Sequence, residues 1–365
     1  MDTFWIYLKK QYNMDQKLEF TGSIFQQIMK QLSIVDSFKG NWEAVELKHS
    51  KHLKELRKIA TIESIGSSTR IEGATLTDQE VEQLLKSVKI TKLTTREQQE
   101  VVGYYETLQI ILDNYKDIDL TERYIHQLHG VLLKHSGKDQ SHKGKYKQLS
   151  NQVVANYPDG TQRTIFRTTE PSLTSKEMED LLLWVNARFE KADMHPVIIT
   201  AAFVYEFLSI HPYQDGNGRL SRLLTTLLLM QQDYEFVQYI SFEHIIEERK
   251  EAYYRALMDG QKNRYQDTEK IDQWLLFFLD CIVTLIKRLE AKYEIYSKLS
   301  KDLNDRQKTV LEFVKQQKKV RISEVEAAFK TYSRNTLKKD MAYLVNEGLL
   351  LKTGERKGTR YHYQD

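Results

Sequence analysis

Apolar residues recur at helical spacing along most of this chain, and this periodicity predicts a mainly α protein. The four prolines all lie between residues 158 and 212, so the long flanking regions carry few helix breakers. Residues 196–210 are almost continuously apolar, which predicts a buried helix that ends at His211. Leucines at positions 220, 223, 224, 227 and 228 predict a second buried helix that begins near Arg219.

Other patterns predict two helix starts, a hairpin and a pair of long helices. Capping boxes of the form S/T-x-x-E occur at residues 77–80 and 174–177. Short β-prone runs on either side of residues 158–160 predict a β-hairpin within about 144–167. Residues 243–301 have the spacing of two amphipathic helices. These helices either pack against the core, which the pattern favours, or form a homodimer surface.

Residues 303–365 carry a separate pattern of three short helices followed by two strands. The helices are predicted over residues 305–317, from Ser323 and from Ser333, and the strands over residues 349–352 and 360–363. Helix, helix, helix, hairpin is the order of a winged helix-turn-helix domain. The third helix would expose Arg334, Asn335, Lys338 and Lys339, with Arg356 and Lys357 in the wing.

These basic residues suit DNA phosphates and base edges, so DNA is a candidate partner. Residues 301–365 hold 15 Lys/Arg against nine Asp/Glu, a net charge of +6, whereas the whole chain carries +3. A solvated basic face, or a winged helix that contacts only protein, fits the same residues.

Composition adds constraints on class and compartment. The 365 residues allow two or three domains with ample core. The single cysteine, Cys281, excludes an internal disulfide framework and fits a reducing compartment, so we expect a cytoplasmic protein. The longest apolar run, residues 274–286, is interrupted by Asp280 and is too short to span a bilayer, so no membrane partner is expected.

The chemistry concentrates between His211 and Arg222, which read H-P-Y-Q-D-G-N-G-R-L-S-R. Proline and two glycines predict a tight loop before a helix, and a helix N-terminus with exposed amides attracts anions. Arg219 and Arg222 can clamp phosphate oxygens. His211 has the ordinary pKa of a general base near neutral pH, and Asp215 is a hard oxygen ligand suited to Mg²⁺. The segment therefore predicts a site for a polyphosphate.

This segment resembles the signature of the Fic family, H-x-F-x-D/E-G-N-G-R-x-x-R, with Tyr213 in place of phenylalanine. The resemblance implies a nucleotidyltransferase that moves AMP from ATP to a protein hydroxyl (AMPylation). It implies that His211 is the base and Asp215 the Mg²⁺ ligand. The expected nucleotide-binding residues are Gly216, Asn217, Gly218, Arg219 and Arg222.

A second segment resembles the inhibitory motif of the same family, S/T-x-x-x-E-G/N, with Ser68, Glu72 and Gly73 at the matching positions. The resemblance implies that Glu72 pairs with Arg222 and blocks productive placement of the γ-phosphate, which is autoinhibition. A carboxylate can compete with phosphate for one guanidinium. The local alternative is a short helix capped by Ser67 or Ser68 and stopped by Gly73.

The predicted hairpin resembles the flap on which Fic proteins align a target protein as an added strand, and an ordinary surface hairpin fits the same residues. The family usually has arginine after the tyrosine of G-x-Y, and here Lys147 follows Tyr146. We expect five parts in chain order: an N-terminal helical extension (1–60), helices with the inhibitory motif (61–115), the Fic catalytic core (116–250), a helical linker (251–302) and the winged helix-turn-helix (303–365). Two alternatives stay open: a hydrolase that removes AMP at the same site, and a nucleotide-sensing DNA-binding regulator.

Overall fold

The structure is a computed structural model that describes residues 14–87, 93–156, 161–266, 268–346, 349–354 and 359–363. It divides into two compact units, Met1–Glu290 and Ala291–Asp365. The predicted hairpin turn at 158–160 and the wing residues Arg356 and Lys357 lie outside the described residues.

Helices dominate residues 14–302. In chain order they are α1 (Met14–Lys17), α2 (Gly22–Ile71), α3 (Asp78–Ser87), α4 (Arg96–Asn114), α5 (Glu122–Leu132), α6 (Pro171–Lys191), α7 (Pro196–Ile210), α8 (Asn217–Gln231), α9 (Phe242–Glu248), α10 (Lys250–Gln261) and α11 (Asp272–Asp302), with a 3-10 helix at Glu235–Tyr239. The predicted mainly α fold class is confirmed. Over the part of the chain that the structure describes, no helix has the length and apolarity needed to cross a bilayer.

Helix α2 runs for 50 residues and ends at the second motif. Gly73 follows it with φ 106°, in the left-handed region where glycine is favoured, and donates its N–H to Arg70 O. The alternative, a short helix capped by Ser67 or Ser68, is wrong in its start, because these serines lie in the final turns of α2, but its predicted stop at Gly73 is confirmed. The boundary predicted at residue 60 lies inside α2, since helical periodicity does not change there.

Helices α7 and α8 form the centre of the first unit, and both match the sequence prediction. Helix α7 begins at Pro196, after His195 accepts a hydrogen bond from Val197 N, and it ends where expected, at Ile210. Almost every side chain of α7 and α8 is buried. Their mutual packing fixes the loop between them, and this loop carries the predicted chemistry.

Residues 243–301 form parts of three helices, α9 to α11, rather than the predicted two. They pack against the core, as the pattern favoured: Trp274 is buried and donates Nε1–H to Ala201 O at 2.7 Å. The homodimer surface stays a prediction.

The capping box at Thr77 is confirmed, since Thr77 Oγ1 accepts from Glu80 N. That at Thr174 is wrong, because Pro171 at the first position starts α6 three residues earlier.

The predicted hairpin consists of strands β1 (Gln152–Asn156) and β2 (Gln162–Arg167), which pair antiparallel. Val153 pairs with Phe166 and Val154 with Thr164, so the register shifts by one residue at a bulge. Val153 and Ala155 face inward and are buried, which anchors one face of the hairpin over the core.

The second unit contains α12 (Asp305–Gln317), β3 (Lys319–Val320), α13 (Ile322–Ala328), α14 (Arg334–Asn346), β4 (Leu350–Thr353) and β5 (Arg360–Tyr363). The three helices and the last two strands were predicted. The two-residue strand β3 was not, because so short a run has no periodicity. The sheet order is β3-β5-β4, and the buried core includes Val310, Val314, Val320, Val325, Leu337, Met341 and Leu344.

Candidate active site

A pocket of about 550 Å³ lies where the loop between α7 and α8 meets the hairpin, α10 and the end of α2. Most of the predicted site residues line this pocket: His211, Asp215, Gly216, Asn217, Gly218, Arg219, Arg222, Glu72 and Gly73. Two segments more than 130 residues apart in the sequence therefore meet at one site.

Backbone conformation and one side chain shape the loop between α7 and α8. His211 adopts φ 53° and ψ 60°, and Gly216 adopts φ 81° immediately before α8. The Asn217 side chain accepts from Tyr213 N at 2.8 Å and donates to Tyr213 O at 2.7 Å. Asn217 was predicted to cradle phosphate, but its side chain is committed to the loop. Only its backbone N–H can face an anion.

His211 has the form that a general base requires. Its Nδ1 lies 3.2 Å from Leu208 O, and because a carbonyl only accepts, Nδ1 carries the proton. Nε2 is therefore left with its lone pair. Burial, and next the charge of Lys147, lower the pKa of His211 to about 4. The imidazole is neutral at pH 7 and ready to accept a proton.

Asp215 is an ionised carboxylate surrounded by cations. Its Oδ1 accepts from Gly216 N at 2.6 Å and from Arg219 Nη2 at 3.0 Å, and its Oδ2 accepts from Arg96 Nη2 at 3.1 Å. Burial raises the pKa of Asp215, but Arg219 and Arg96 outweigh burial and hold it below its usual value. Arg96, from α4, was not predicted from the sequence.

Asp215 is the residue of this loop that could hold an Mg²⁺ ion that arrives with a nucleotide. Within the described residues, no group of three or more His, Cys, Asp or Glu side chains is placed to hold a metal. A single carboxylate beside phosphate oxygens and water is nevertheless an arrangement that Mg²⁺ commonly takes. Asp215 meets that requirement because it is charged and lines the pocket.

The start of α8 provides an anion site. The first N–H groups of a helix have no intrahelical acceptor, and here they belong to Asn217, Gly218 and Arg219, which all line the pocket. Arg219 is 2% exposed and lies 3.3 Å from Glu100 Oε1 as well as beside Asp215, so its guanidinium is fixed in place. A Cβ on Gly218 would lie 2.2 Å from Glu72 Oε1. Glycine at position 218 therefore allows the Glu72 carboxylate to lie against the start of α8.

The second motif reaches Arg222 directly. Arg222 donates Nη2–H to Glu72 Oε1 at 2.9 Å and to Ser68 O at 2.9 Å, and Nε–H to Ser68 Oγ at 2.8 Å. Ser68 is fully buried, whereas the Glu72 side chain keeps a third of its area exposed toward the pocket. The guanidinium that was predicted to bind phosphate is thus already bonded to a carboxylate.

Electrostatics keep both partners charged. Burial raises the pKa of Glu72, but Arg222 and then Arg219 outweigh burial and lower it below its ordinary value. Burial lowers the pKa of Arg222, and Glu72 more than reverses that effect. The pair is therefore ionic at neutral pH.

Two histidines outside the signature brace the loop, and sequence reasoning missed both. The His129 ring stacks on Tyr213 at 3.7 Å between centroids and 15° between planes. His129 Nδ1 accepts from Gly144 N, so Nε2 carries the proton and donates to Asp215 O at 2.9 Å. The Tyr213 hydroxyl, absent from a phenylalanine, lies 2.7 Å from His126 Nδ1. The i, i+3 spacing of the two histidines in α5 was the only feature of the sequence that could have pointed to them.

Helix α10 was predicted to be linker, but it forms one wall of the pocket through Tyr253, Tyr254 and Leu257. Burial raises the pKa of Tyr253 to about 12, and the charge of Arg222 acts in the opposite direction. The sequence indicated only an apolar helical face here. Nothing local distinguishes a tyrosine that packs against core from one that lines a pocket.

The predicted DNA-binding residues all lie on α14 and are exposed: Arg334, Asn335, Lys338 and Lys339. Arg334 forms an ion pair with Glu326 of α13. The apolar side of the helix, Leu337, Met341 and Leu344, is fully buried. The polar face of α14 is therefore directed to solvent.

Comparisons with known proteins agree with the division of the chain into two units. The Fic/DOC family model matches residues 119–229, and a model described as DeoR-like helix-turn-helix domain matches residues 306–355. Protein adenylyltransferase Fic of Drosophila melanogaster is 29% identical over 184 residues, 50% of this chain and 35% of that protein. The same-named protein of Drosophila willistoni is 27% identical over 207 residues, 56% of this chain and 39% of that protein. The chain thus spans little more than a third of the curated relatives it matches.

Solved structures share the fold. A Fic family protein from Desulfovibrio desulfuricans G20 superposes with a TM-score of 0.62 at 21% identity, over 95% of this chain and 97% of that one. Fic-1 from C. elegans gives a TM-score of 0.58 at 18% identity, over 74% and 73% of the two chains. The architecture is a Fic fold followed by a helix-turn-helix domain. Residues 119–229 therefore form a domain that matches the Fic/DOC family, and residues 306–355 one that matches the DeoR-like helix-turn-helix domain.

Proposed function

We propose that this protein transfers AMP from ATP to a hydroxyl side chain of a target protein. The observation that carries the proposal is the placement of a neutral His211, with Nε2 available, beside the anion site at the start of α8. A base and an anion site at one pocket suit attack by a hydroxyl on a bound phosphate. Relatives at 27–29% identity are named protein adenylyltransferase, which supports the same reaction class.

In this reaction the target hydroxyl oxygen forms a bond to the α-phosphorus of ATP. The bond from that phosphorus to the oxygen bridging to the β-phosphate breaks, and pyrophosphate leaves. His211 Nε2 takes the hydroxyl proton. Arg219 and the first N–H groups of α8 bind the phosphates, and Mg²⁺, held by Asp215, would neutralise charge on the leaving pyrophosphate. The apolar wall formed by Val153, Leu208 and Leu257 suits the nucleotide base.

We propose further that Glu72 is an autoinhibitory residue. Arg222 must bind the γ-phosphate for a productive pose, and its guanidinium is bonded to Glu72 and Ser68. The γ-phosphate and the Glu72 carboxylate carry like charges and compete for the same Arg222 guanidinium, so the bonded Glu72 opposes binding of the γ-phosphate. Displacement of Glu72 would then permit transfer. The hairpin around residues 144–167 is the proposed docking site for the target protein.

Paired labels on ATP test the reaction type. The Glu72→Gly protein is incubated with Mg²⁺ and ATP radiolabelled on either the α- or the γ-phosphate, and protein-bound label is counted. We expect label only from the α-position, and none after the additional change His211→Ala. Label from the γ-position would replace AMP transfer with phosphate transfer. Release of label from a previously modified target would favour the hydrolase.

The C-terminal domain supports a second proposal, binding to DNA. The DeoR-like match and the solvent-directed face of α14 favour it. Because each phosphate contact releases counterions, Lys338→Gln/Lys339→Gln should weaken binding to duplex DNA and flatten its salt dependence. Lys308→Gln/Lys318→Gln is the matched control, since both lysines are exposed elsewhere in the same unit. Equal affinity in the two double variants would contradict the proposal.

A further inference from the structure

Lys147 is a buried lysine just outside the signature loop. It is 3% exposed, and its ammonium donates to three different acceptors: Asn151 Oδ1 at 2.9 Å, Thr168 Oγ1 at 2.9 Å and Ile210 O at 2.8 Å. An ammonium has three donors, so each is used. These three acceptors are all neutral, and Glu170 and Glu177 act on the ammonium only through their charge, which opposes the effect of burial on its pKa. Burying a charge whose hydrogen-bond partners are all neutral is costly, which indicates a specific role.

The three acceptors belong to the two parts of the site that must act together. Asn151 immediately precedes β1 and Thr168 immediately follows β2, so these residues are the two ends of the hairpin. Ile210 is the last residue of α7, directly before His211. One ammonium therefore joins both ends of the hairpin to the helix end that carries the proposed base.

Further hydrogen bonds make this junction rigid. Lys147 N donates to Pro212 O at 2.8 Å, and Asn151 Nδ2 donates to Tyr213 O at 2.8 Å. Thr168 Oγ1 donates to Asn151 O at 3.0 Å. The hairpin ends are thus bonded to the loop between α7 and α8 as well as to Lys147. A shift of the hairpin would break several of these bonds at once.

We infer that Lys147 is a positioning residue that holds the hairpin and His211 in one fixed relation, so that a target docked on the hairpin presents its hydroxyl to the base. The inference deepens the proposed function and rests on it. Its physical basis is that loss of a fixed geometry between nucleophile and base is expensive: misplacement by about 1 Å can reduce a rate on the order of a hundredfold.

Lys147 also acts on His211 through its charge. Burial is the largest cause of the lowered pKa of His211, and Lys147 is the next, whereas Glu72 and Asp215 act in the opposite direction. Burial lowers the pKa of Lys147 itself to about 8, so the ammonium is mostly charged at neutral pH. Removal of this charge should raise the pKa of His211 and move the acid limb of the rate profile to higher pH.

The test compares Lys147→Met, Lys147→Arg and Lys145→Met in the Glu72→Gly protein. Lys145 is the matched control because it is exposed, lies two residues away and carries the same charge. The pKa of His211 is measured by NMR titration without nucleotide, and transfer is measured as kcat and as KM for ATP. We expect Lys147→Met to raise the pKa of His211 and to lower kcat between about tenfold and a hundredfold, with KM changed less than about twofold.

Lys147→Arg keeps the charge but cannot reproduce three diverging bonds from one atom. It should lower kcat and leave the pKa of His211 where it is. The inference is overturned if Lys147→Met matches Lys145→Met in both readouts. If Lys147→Met does not fold, a kcat of Lys147→Arg equal to that of the control overturns it instead. Absence of transfer in the Glu72→Gly parent would contradict the proposed function, and the His211 titration would still decide the effect of Lys147.

Discussion

Replacement of Glu72 should strengthen ATP binding by an amount that the contacts allow us to work out. Glu72 Oε1 accepts one charge-assisted hydrogen bond from Arg222 at 2.9 Å, and such bonds contribute about 1.5–3 kcal/mol. The Glu72 side chain is one third exposed, so solvent screening favours the lower end of that range. At about 1.4 kcal/mol for each factor of ten, ATP affinity should rise roughly tenfold in Glu72→Gly.

Calorimetric titration of ATP with Mg²⁺ measures this change. The His211→Ala background prevents turnover, and Glu72→Gly and Glu72→Gln are compared within it. Glutamine keeps most of the shape and loses the charge, so its effect should be intermediate. AMP is the matched ligand, because it has no γ-phosphate to compete for Arg222. An equal gain for AMP and ATP, or no gain for either, would refute the competition between Glu72 and the γ-phosphate.

The same replacement has a cost in stability. Without Glu72, Arg222 keeps its bonds to Ser68 but loses its only carboxylate partner among the described residues. A buried pair that loses one member costs about 3–5 kcal/mol, and exposure of Glu72 reduces that figure. We expect Glu72→Gly to lower the unfolding temperature and ATP to restore part of it.

Three further predictions follow from the site. Because the pKa of His211 is lowered to about 4, the base stays neutral from pH 7 to pH 6, a range in which Lys147 stays mostly charged. The transfer rate should therefore be flat over that range and fall only toward pH 4, and an acid limb near pH 6.5 would contradict this. Asp215→Asn should weaken Mn²⁺ binding to the ATP complex by at least about tenfold by EPR, with AMP binding unchanged. Tyr213→Phe leaves His126 Nδ1 without its hydroxyl partner. The free energy of unfolding in urea should therefore fall by about 1 kcal/mol, with kcat unchanged.

The sequence predicted those parts of the site that are local in the chain. Helix α7, the loop and α8 could be read from proline, glycine and leucine spacing, because each residue there acts on its immediate neighbours. The same holds for α12, whose bounds match the predicted residues 305–317. The pairing of Glu72 with Arg222 was reached only through the family resemblance, since no local pattern joins residues 150 positions apart.

Residues brought in by tertiary packing could not be found this way. Arg96 and Tyr253 reach the pocket from α4 and α10, whose apolar faces indicate helices but not what those helices line. Lys147 appeared only as a departure from the family's arginine, and its burial depends on the hairpin ends and α7 meeting. The capping box at Thr174 failed because Pro171 starts the helix earlier, a competition that the four-residue pattern does not contain.

The most direct test of the proposed transfer is the intact mass of three proteins after incubation with ATP and Mg²⁺: wild type, Glu72→Gly and Glu72→Gly/His211→Ala. Self-modification serves as the readout because it requires no knowledge of the target protein. We predict a gain of one or more AMP groups in Glu72→Gly and much less in the other two. A gain of equal size in wild type and Glu72→Gly would contradict the inhibitory role. A gain that survives His211→Ala, or one of phosphate size, would contradict the base and the reaction.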